Sequence, residues 1–196
     1  MAPSRIDKLI SSCLIISRKD AVSIIKKGRV SIDGTTVKSA DAKVDPDKST
    51  IEVDGRAVSY SEYIYIMLNK PEGYVSATED GKLPTVIELL PEELQRIGLF
   101  PCGRLDKNTL GLMLLSNDGD TSHRLLAPKS HVDKKYRFKS RDAINPEDAM
   151  RFEGGLTLED GYVTLPAKIE LDEDRMGGII TLREGKYHQI KRMLEA

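Results

Sequence analysis

Two opposite charges at the head of an apolar run are the feature of this sequence best suited to chemistry. Arg104 and Asp106 stand two residues apart in Gly103-Arg104-Leu105-Asp106, just ahead of Leu110–Leu115, an apolar run broken only by Gly111. A run of that length predicts a strand buried on both faces. Asn117-Asp118-Gly119 reads as the turn that ends it, since these residue types tolerate positive φ. A carboxylate at the mouth of a buried strand is costly unless a cation or hydrogen-bond donors hold it. Spacing alone leaves Asp106 as a turn aspartate that caps nearby backbone N–H groups. Other reactive residue types offer little company. Cys13 and Cys102 form no disulfide framework, and with three scattered histidines they make no cluster of metal-ligand spacing. Cys102 reads as an inert thiol.

Two further stretches bear on Asp106. One is Asn69-Lys70-Pro71-Glu72-Gly73-Tyr74-Val75; the other is Glu184-Gly185-Lys186-Tyr187-His188-Gln189-Ile190-Lys191-Arg192-Met193 near the end of the chain. Taken alone, the first is a structural hairpin and the second the cationic start of a surface helix. Together with Gly-Arg-Leu-Asp, Thr-Leu-Gly-Leu and Asn-Asp-Gly, they resemble the signature of the pseudouridine synthases related to RsuA. That resemblance implies that Asp106 is the nucleophile and that Lys191 pairs with it and lowers its pKa, with Arg192 as the neighbouring alternative. It implies that Tyr136 sits beside the target base, where a ring can stack on uracil and a hydroxyl can reach a proton. Otherwise Tyr136 is an ordinary half-buried strand residue. Arg104 would steady the RNA or fill the space left by the extruded base. The implied reaction moves the glycosidic bond from N1 to C5 of one uridine. It needs no metal and no organic cofactor, because the carboxylate itself attacks and no redox change occurs.

The stretches Ile66-Met-Leu-Asn-Lys-Pro-Glu-Gly-Tyr-Val75 and Leu125-Leu-Ala-Pro-Lys-Ser-His-Val132 resemble synthases acting on small-subunit rRNA more than large-subunit ones. A large-subunit enzyme and a catalytically silent RNA-binding protein are the alternatives. A hydrolase built on Asp106 and a histidine is a weaker one, because no serine or cysteine nucleophile motif accompanies them. Members of the family continue for a few dozen residues past the final motif, so the catalytic domain is expected to be cut short at its C-terminal end.

The elements that must position these residues fit an α+β protein of two domains. A chain of 196 residues, 39% hydrophobic and 31% charged, suits a soluble protein with one full domain and a small one. No apolar run approaches membrane-spanning length and no signal-peptide pattern opens the chain, so a reducing cytoplasm is the expected location. The net charge of −1 hides an asymmetry: residues 1–30 carry seven basic residues against Asp7 and Asp20. Ser4 with Asp7 and Ser17 with Asp20 predict two capped helices, from about Arg5 and Arg18, the second stopped by Gly28. A hairpin turning at Asp33-Gly34 and a strand ending at Asp54-Gly55 follow. Arg-Ile-Asp-Lys-Leu-Ile, Ser-Arg-Lys-Asp-Ala and Lys-Gly-Arg-Val-Ser-Ile-Asp-Gly resemble an S4 RNA-binding domain, which implies that Arg5, Lys8, Arg18, Lys19, Lys26, Lys27 and Arg29 can face RNA.

The expected division is thus an S4 domain over residues 1–56, a polar linker over 57–62 and a synthase domain over 63–196. The synthase domain should carry a mixed, mostly antiparallel sheet with flanking helices. Within it, strands are predicted at 63–68, 134–138, 162–165, 167–171 and 179–182, short helices at 84–90 and 91–97, and a helix at 122–126 stopped by Pro128. Ribosomal RNA or a pre-ribosomal particle is the expected partner of a monomer, with no membrane involved. If the basic segment binds phosphates, affinity for rRNA should fall steeply with salt, and removing residues 1–55 should flatten that dependence. Filter binding across a salt series checks this; an unchanged slope would contradict it.

Overall fold

Two apolar helix stripes and two Asp-Gly pairs dictate how the basic N-terminal stretch folds. In the computed structural model, which describes residues 3–127 and 132–196, strand β1 (Ser4–Arg5) leads into helices α1 (Ile6–Leu14) and α2 (Arg18–Lys26). Ile6, Leu9 and Ile10 of α1 meet Ala21 and Ile25 of α2 in a core completed by Val30, Val44, Ile51 and Val53. Strands β2 (Val30–Ile32) and β3 (Thr35–Val37) form the expected hairpin. Its corner residues Asp33 and Gly34 both have positive φ, 48° and 78°, as a two-residue primed turn requires. Strand β4 (Lys43–Val44) pairs with β1, while β5 (Ile51–Val53) joins β2 to β6 (Arg56–Ala57) across the second Asp-Gly corner. Val58 and Tyr60 pack against the same core.

Only one of the two expected helix caps forms. The Ser17 hydroxyl accepts from Asp20 N at 3.1 Å, but Ser4 lies in β1 and α1 begins without a side-chain cap. Asp7 is instead buried, and its carboxylate accepts from Arg5 Nε (3.1 Å), Arg5 Nη2 (3.0 Å), Arg18 Nη2 (3.2 Å) and Lys8 N (2.7 Å). The site resolves a buried charge by pairing it, so Asp7 joins the start of one helix to the start of the next.

A second core follows. Strand β7 (Tyr65–Lys70), a single 3-10 turn at Val86–Leu89, the short helix α3 (Glu92–Gln95), β8 (Phe100–Pro101) and β9 (Gly111–Ser116) enclose Val86, Ile87, Leu90, Leu99, Met113 and Leu115. The sheet is antiparallel in the order β7-β9-β8. β9 is not buried on both faces as expected, and β7 beside it also has one open face. Leu115 is fully buried, whereas Leu112 is 73% and Met67 80% exposed, because helices and loops cover one face of this sheet and strand alternation sends every second residue to the other. Asn117-Asp118-Gly119 also differs from expectation, since none of the three has positive φ. Their value lies in acceptors: Asn117 Oδ1 takes Ile64 N at 2.8 Å, and the buried Asp118 carboxylate takes the Tyr65 hydroxyl. Helix α4 (Gly119–Leu126) starts at once; its expected stop, Pro128, lies outside the described residues.

The chain divides into two compact units, Met1–Gly119 and Asp120–Ala196. In the second, β10 (Lys134–Lys139), helix α5 (Pro146–Gly154), β11 (Lys168–Leu171), β12 (Gly177–Leu182) and helix α6 (Gln189–Glu195) surround Phe138, Phe152, Leu156, Ile180, Leu182 and Met193. Its sheet is antiparallel in the order β10-β12-β11. Helix α5 was not anticipated, although Pro146 at its first turn with Glu147 and Asp148 behind it is a helix-start pattern. The strand expected at 162–165 is reduced to one bridge, Thr157 to Val163. Among the described residues no helix is long and apolar enough to cross a membrane.

Pairing with Arg5 holds the Asp7 carboxyl below the usual carboxylate range. A lowered pKa contributes stability that is present above the unfolded value, about 3.9, and lost as pH falls through the folded one. Asp7→Asn should therefore lower the melting temperature at about pH 7, and the gap to the parent protein should narrow progressively as pH falls below the unfolded value of about 3.9. Thermal melts across a pH series check this; a gap that stays constant as pH falls would contradict it.

Candidate active site

Asp106 rides on the loop between β8 and β9, and that loop is fixed from beneath by one side chain. Lys70 is the last residue of β7, and alternation along the strand turns it inward behind Ile66 and Leu68. It is 1% exposed. Its ammonium donates to the carbonyls of Pro71 (3.1 Å), Asp106 (3.1 Å), Lys107 (3.2 Å) and Thr109 (2.9 Å). Burial pushes the Lys70 pKa down, opposed by the charges of Asp106 and Glu72.

The adjoining segment adds further clamps. Ser76 Oγ accepts from Leu105 N (2.9 Å) and donates to Leu105 O (2.7 Å), while Gly73 N donates to Lys107 O (2.9 Å). Thr109 N closes a turn onto Asp106 O at 3.0 Å. Leu105 packs against the second core, so its neighbours face outward: Arg104 is exposed and Asp106 half-buried. The Asn-Lys-Pro-Glu-Gly stretch and the Gly-Arg-Leu-Asp stretch thus form one structural object. The role of Lys70 in it was missed from sequence, although strand alternation was the signal that would have turned it inward.

The second unit holds the other candidates. Tyr136 is half-buried on β10, opposite Ile180 of β12, and packs against the third core. Lys191 is exposed in the first turn of α6. Arg192 is engaged by Asp160. The loop entering α6 is organised by Glu184, whose carboxylate accepts from the Tyr162 hydroxyl (2.6 Å), Leu165 N (2.8 Å) and Gln189 Nε2 (2.7 Å). Gln189 is buried and its Oε1 accepts from Lys186 N at 2.8 Å. Asp106 therefore belongs to the first unit and Tyr136 and Lys191 to the second, each held by its own framework.

All seven predicted RNA-facing cations of the N-terminal stretch are exposed. Three are also ion-paired, Arg5 and Arg18 to Asp7 and Arg29 to Asp54, while Lys8, Lys19, Lys26 and Lys27 extend from the helical pair. No group of three or more metal-ligating side chains occurs among the described residues.

Replacing Lys70 by methionine keeps the length of the side chain and removes its donors. Unsatisfied buried acceptors cost about 1–3 kcal/mol, so Lys70→Met should destabilise the protein by at least that amount and speed amide exchange across residues 103–110. Lys107→Met, at an exposed position, should do neither. Hydrogen-exchange mass spectrometry reads both; equal protection of the loop in the two variants would contradict the clamp.

Comparison with known proteins places this geometry in a family. Residues 64–196 match the family model described as RNA pseudouridylate synthase, and residues 4–48 match that of the S4 domain. The chain is 46% identical over 195 residues to the uncharacterized RNA pseudouridine synthase YtzG of Bacillus subtilis (strain 168), covering 98% of this chain and 82% of that one. It is 42% identical over 194 residues to the ribosomal small subunit pseudouridine synthase A of Vibrio parahaemolyticus, with the same coverage. It is 39% identical over 199 residues to the ribosomal large subunit pseudouridine synthase B of Bacillus subtilis (strain 168), covering 98% and 80%. A crystal structure of a pseudouridylate synthase matches with a TM-score of 0.64 at 34% identity, covering 98% of this chain and 82% of that one. Chain-long similarity of this kind, together with a clamped Gly-Arg-Leu-Asp loop, means that the protein belongs to the RNA pseudouridylate synthase family, as an RsuA-related pseudouridine synthase with an N-terminal S4 domain.

Proposed function

We propose that this synthase isomerises a specific uridine of ribosomal RNA, in the small subunit, with Asp106 as the nucleophile. The observation that carries the reading is the Asp106 loop. Its backbone is pinned at Leu105, Asp106, Lys107 and Thr109, which favours a carboxylate presented in a set position over one that merely caps a flexible turn. The target uridine leaves the stack to reach it. The N1 glycosidic bond breaks, a bond to C5 of the same base forms, the C5 hydrogen passes to solvent as a proton while the freed N1 takes one up, and the bond made by Asp106 is broken again; the sum is an isomerisation with no redox change.

From the family pattern this reading gives Tyr136 the place beside the base and Lys191 the role of charge partner to the nucleophile. Arg104 steadies the RNA or fills the space the base vacates. The S4 domain over residues 1–56 grips phosphates through its exposed cations, joined by residues 57–62 to a catalytic domain over 63–196. The substrate is ribosomal RNA or a pre-ribosomal particle. Small-subunit specificity rests on the similarity to the small-subunit enzyme and on the 66–75 and 125–132 motifs. The comparable identity to a large-subunit synthase favours that substrate as the second reading.

Release of tritium from C5-labelled uridine in an rRNA transcript tests the assignment. Asp106→Asn should fall to background while its melting temperature stays close to that of the parent, because asparagine serves a turn about as well as aspartate. Lys191→Met should be slowed without being silenced. Tyr136→Phe should lose less than Tyr136→Leu, since stacking survives only the first change. An Asp106→Asn protein that releases tritium at the parent rate would overturn the reading.

A further inference from the structure

We propose that Tyr187 and His188 form a stacking platform for an unpaired nucleobase of the RNA, a base other than the uridine being isomerised. The proposal rests on the RNA-modifying function above. The two rings lie 3.8 Å apart between centroids at an interplanar angle of 18°. Tyr187 nevertheless remains 73% exposed. With one face against the imidazole, exposure on that scale leaves the other face of the phenol ring open. A tyrosine so placed contributes little to any core, and it presents a π-surface of the kind on which bases stack.

The backbone beneath the pair is held rather than loose. His188 has φ of 50°, a left-handed conformation that a side-chain-bearing residue adopts at a cost. The surrounding structure imposes it: Gln189 is buried, hooks Lys186 N through its carbonyl oxygen, and is itself bound to Glu184. Lys186 is drawn over the Tyr162 ring, its ammonium 4.8 Å from the centroid. The stacked pair therefore sits on a fixed corner between β12 and α6, next in sequence to the exposed Lys186. Aromatic rings interleaved with cations suit single-stranded nucleic acid: the cations follow the phosphates and the ring takes a base, with little demand on which base it is. None of the roles assigned to Asp106, Tyr136 or Lys191 accounts for these two rings.

Because the platform acts through a ring and not through charge, its removal should weaken binding without altering the salt dependence. The test is fluorescence anisotropy of the full chain on a labelled rRNA hairpin with an unpaired loop, and on a fully paired duplex of the same composition, each across a salt series. Tyr187→Phe should bind the hairpin within about twofold of the parent. Tyr187→Ala and Tyr187→Leu should both bind about tenfold more weakly, with an unchanged salt slope and no change on the duplex. Tyr187→Ala binding the hairpin as the parent does, or losing affinity equally on both RNAs, would overturn the proposal, as would a flattened salt slope. Tritium release run on the same preparations separates this from the assigned reaction. A parent protein that binds the hairpin in this pattern yet releases no tritium counts against the enzymatic reading and supports the platform; one that binds neither RNA overturns both.

Discussion

A lysine ammonium withdrawn from water must find oxygen acceptors, and Lys70 finds four of them in the carbonyls around the Asp106 loop. The constraint works in both directions. The cation would be too costly to bury without those carbonyls, and carbonyls of an irregular loop would be too costly to converge without the cation. Two stretches more than thirty residues apart in sequence are thereby made into one rigid object. Conformational entropy otherwise favours many arrangements for a loop of this length. What Asp106 gains from the clamp is a defined position, which the nucleophile role proposed for it requires.

Ion-pair chemistry organises the N-terminal stretch in a related way. Asp7 is a buried anion that draws Arg5 and Arg18 onto itself and so fixes the angle at which two helices leave their loop. Two of the seven exposed cations thus serve the fold as well as the surface. Glu184 plays the corresponding part near the end of the chain, gathering Tyr162, the backbone at Leu165 and Gln189 around one carboxylate. In each case a charged residue fixes a loop that presents neighbouring residues to solvent, and the presented residues are the ones assigned to RNA.

The hairpin corner at Asp33-Gly34 and the extent of α2 were legible in the sequence because turn chemistry and helix capping are local. Asp106 and Lys191 stood out through long motifs and Tyr136 through a single family match, and none of these says what holds the residue. Lys70 was legible only as part of a pattern, since its meaning depends on carbonyls about forty residues away in sequence that alternation alone cannot identify. The same limit explains the difference at β9. An apolar run such as Leu110–Leu115 reads as buried on both sides, whereas the number of covering layers is a property of the tertiary fold. Helix α5 was lost for a different reason, its apolar positions Met150 and Phe152 being too few to set up a clear period.

The central claim is that this chain places pseudouridine in ribosomal RNA. The most direct measurement maps pseudouridines across the rRNA of cells carrying the gene, cells lacking it, and cells in which it is replaced by the Asp106→Asn form. A single small-subunit pseudouridine that vanishes with the gene, returns with the parent sequence and stays absent with Asp106→Asn is the predicted result. An unchanged map in cells lacking the gene, or restoration by the Asp106→Asn form, would contradict it.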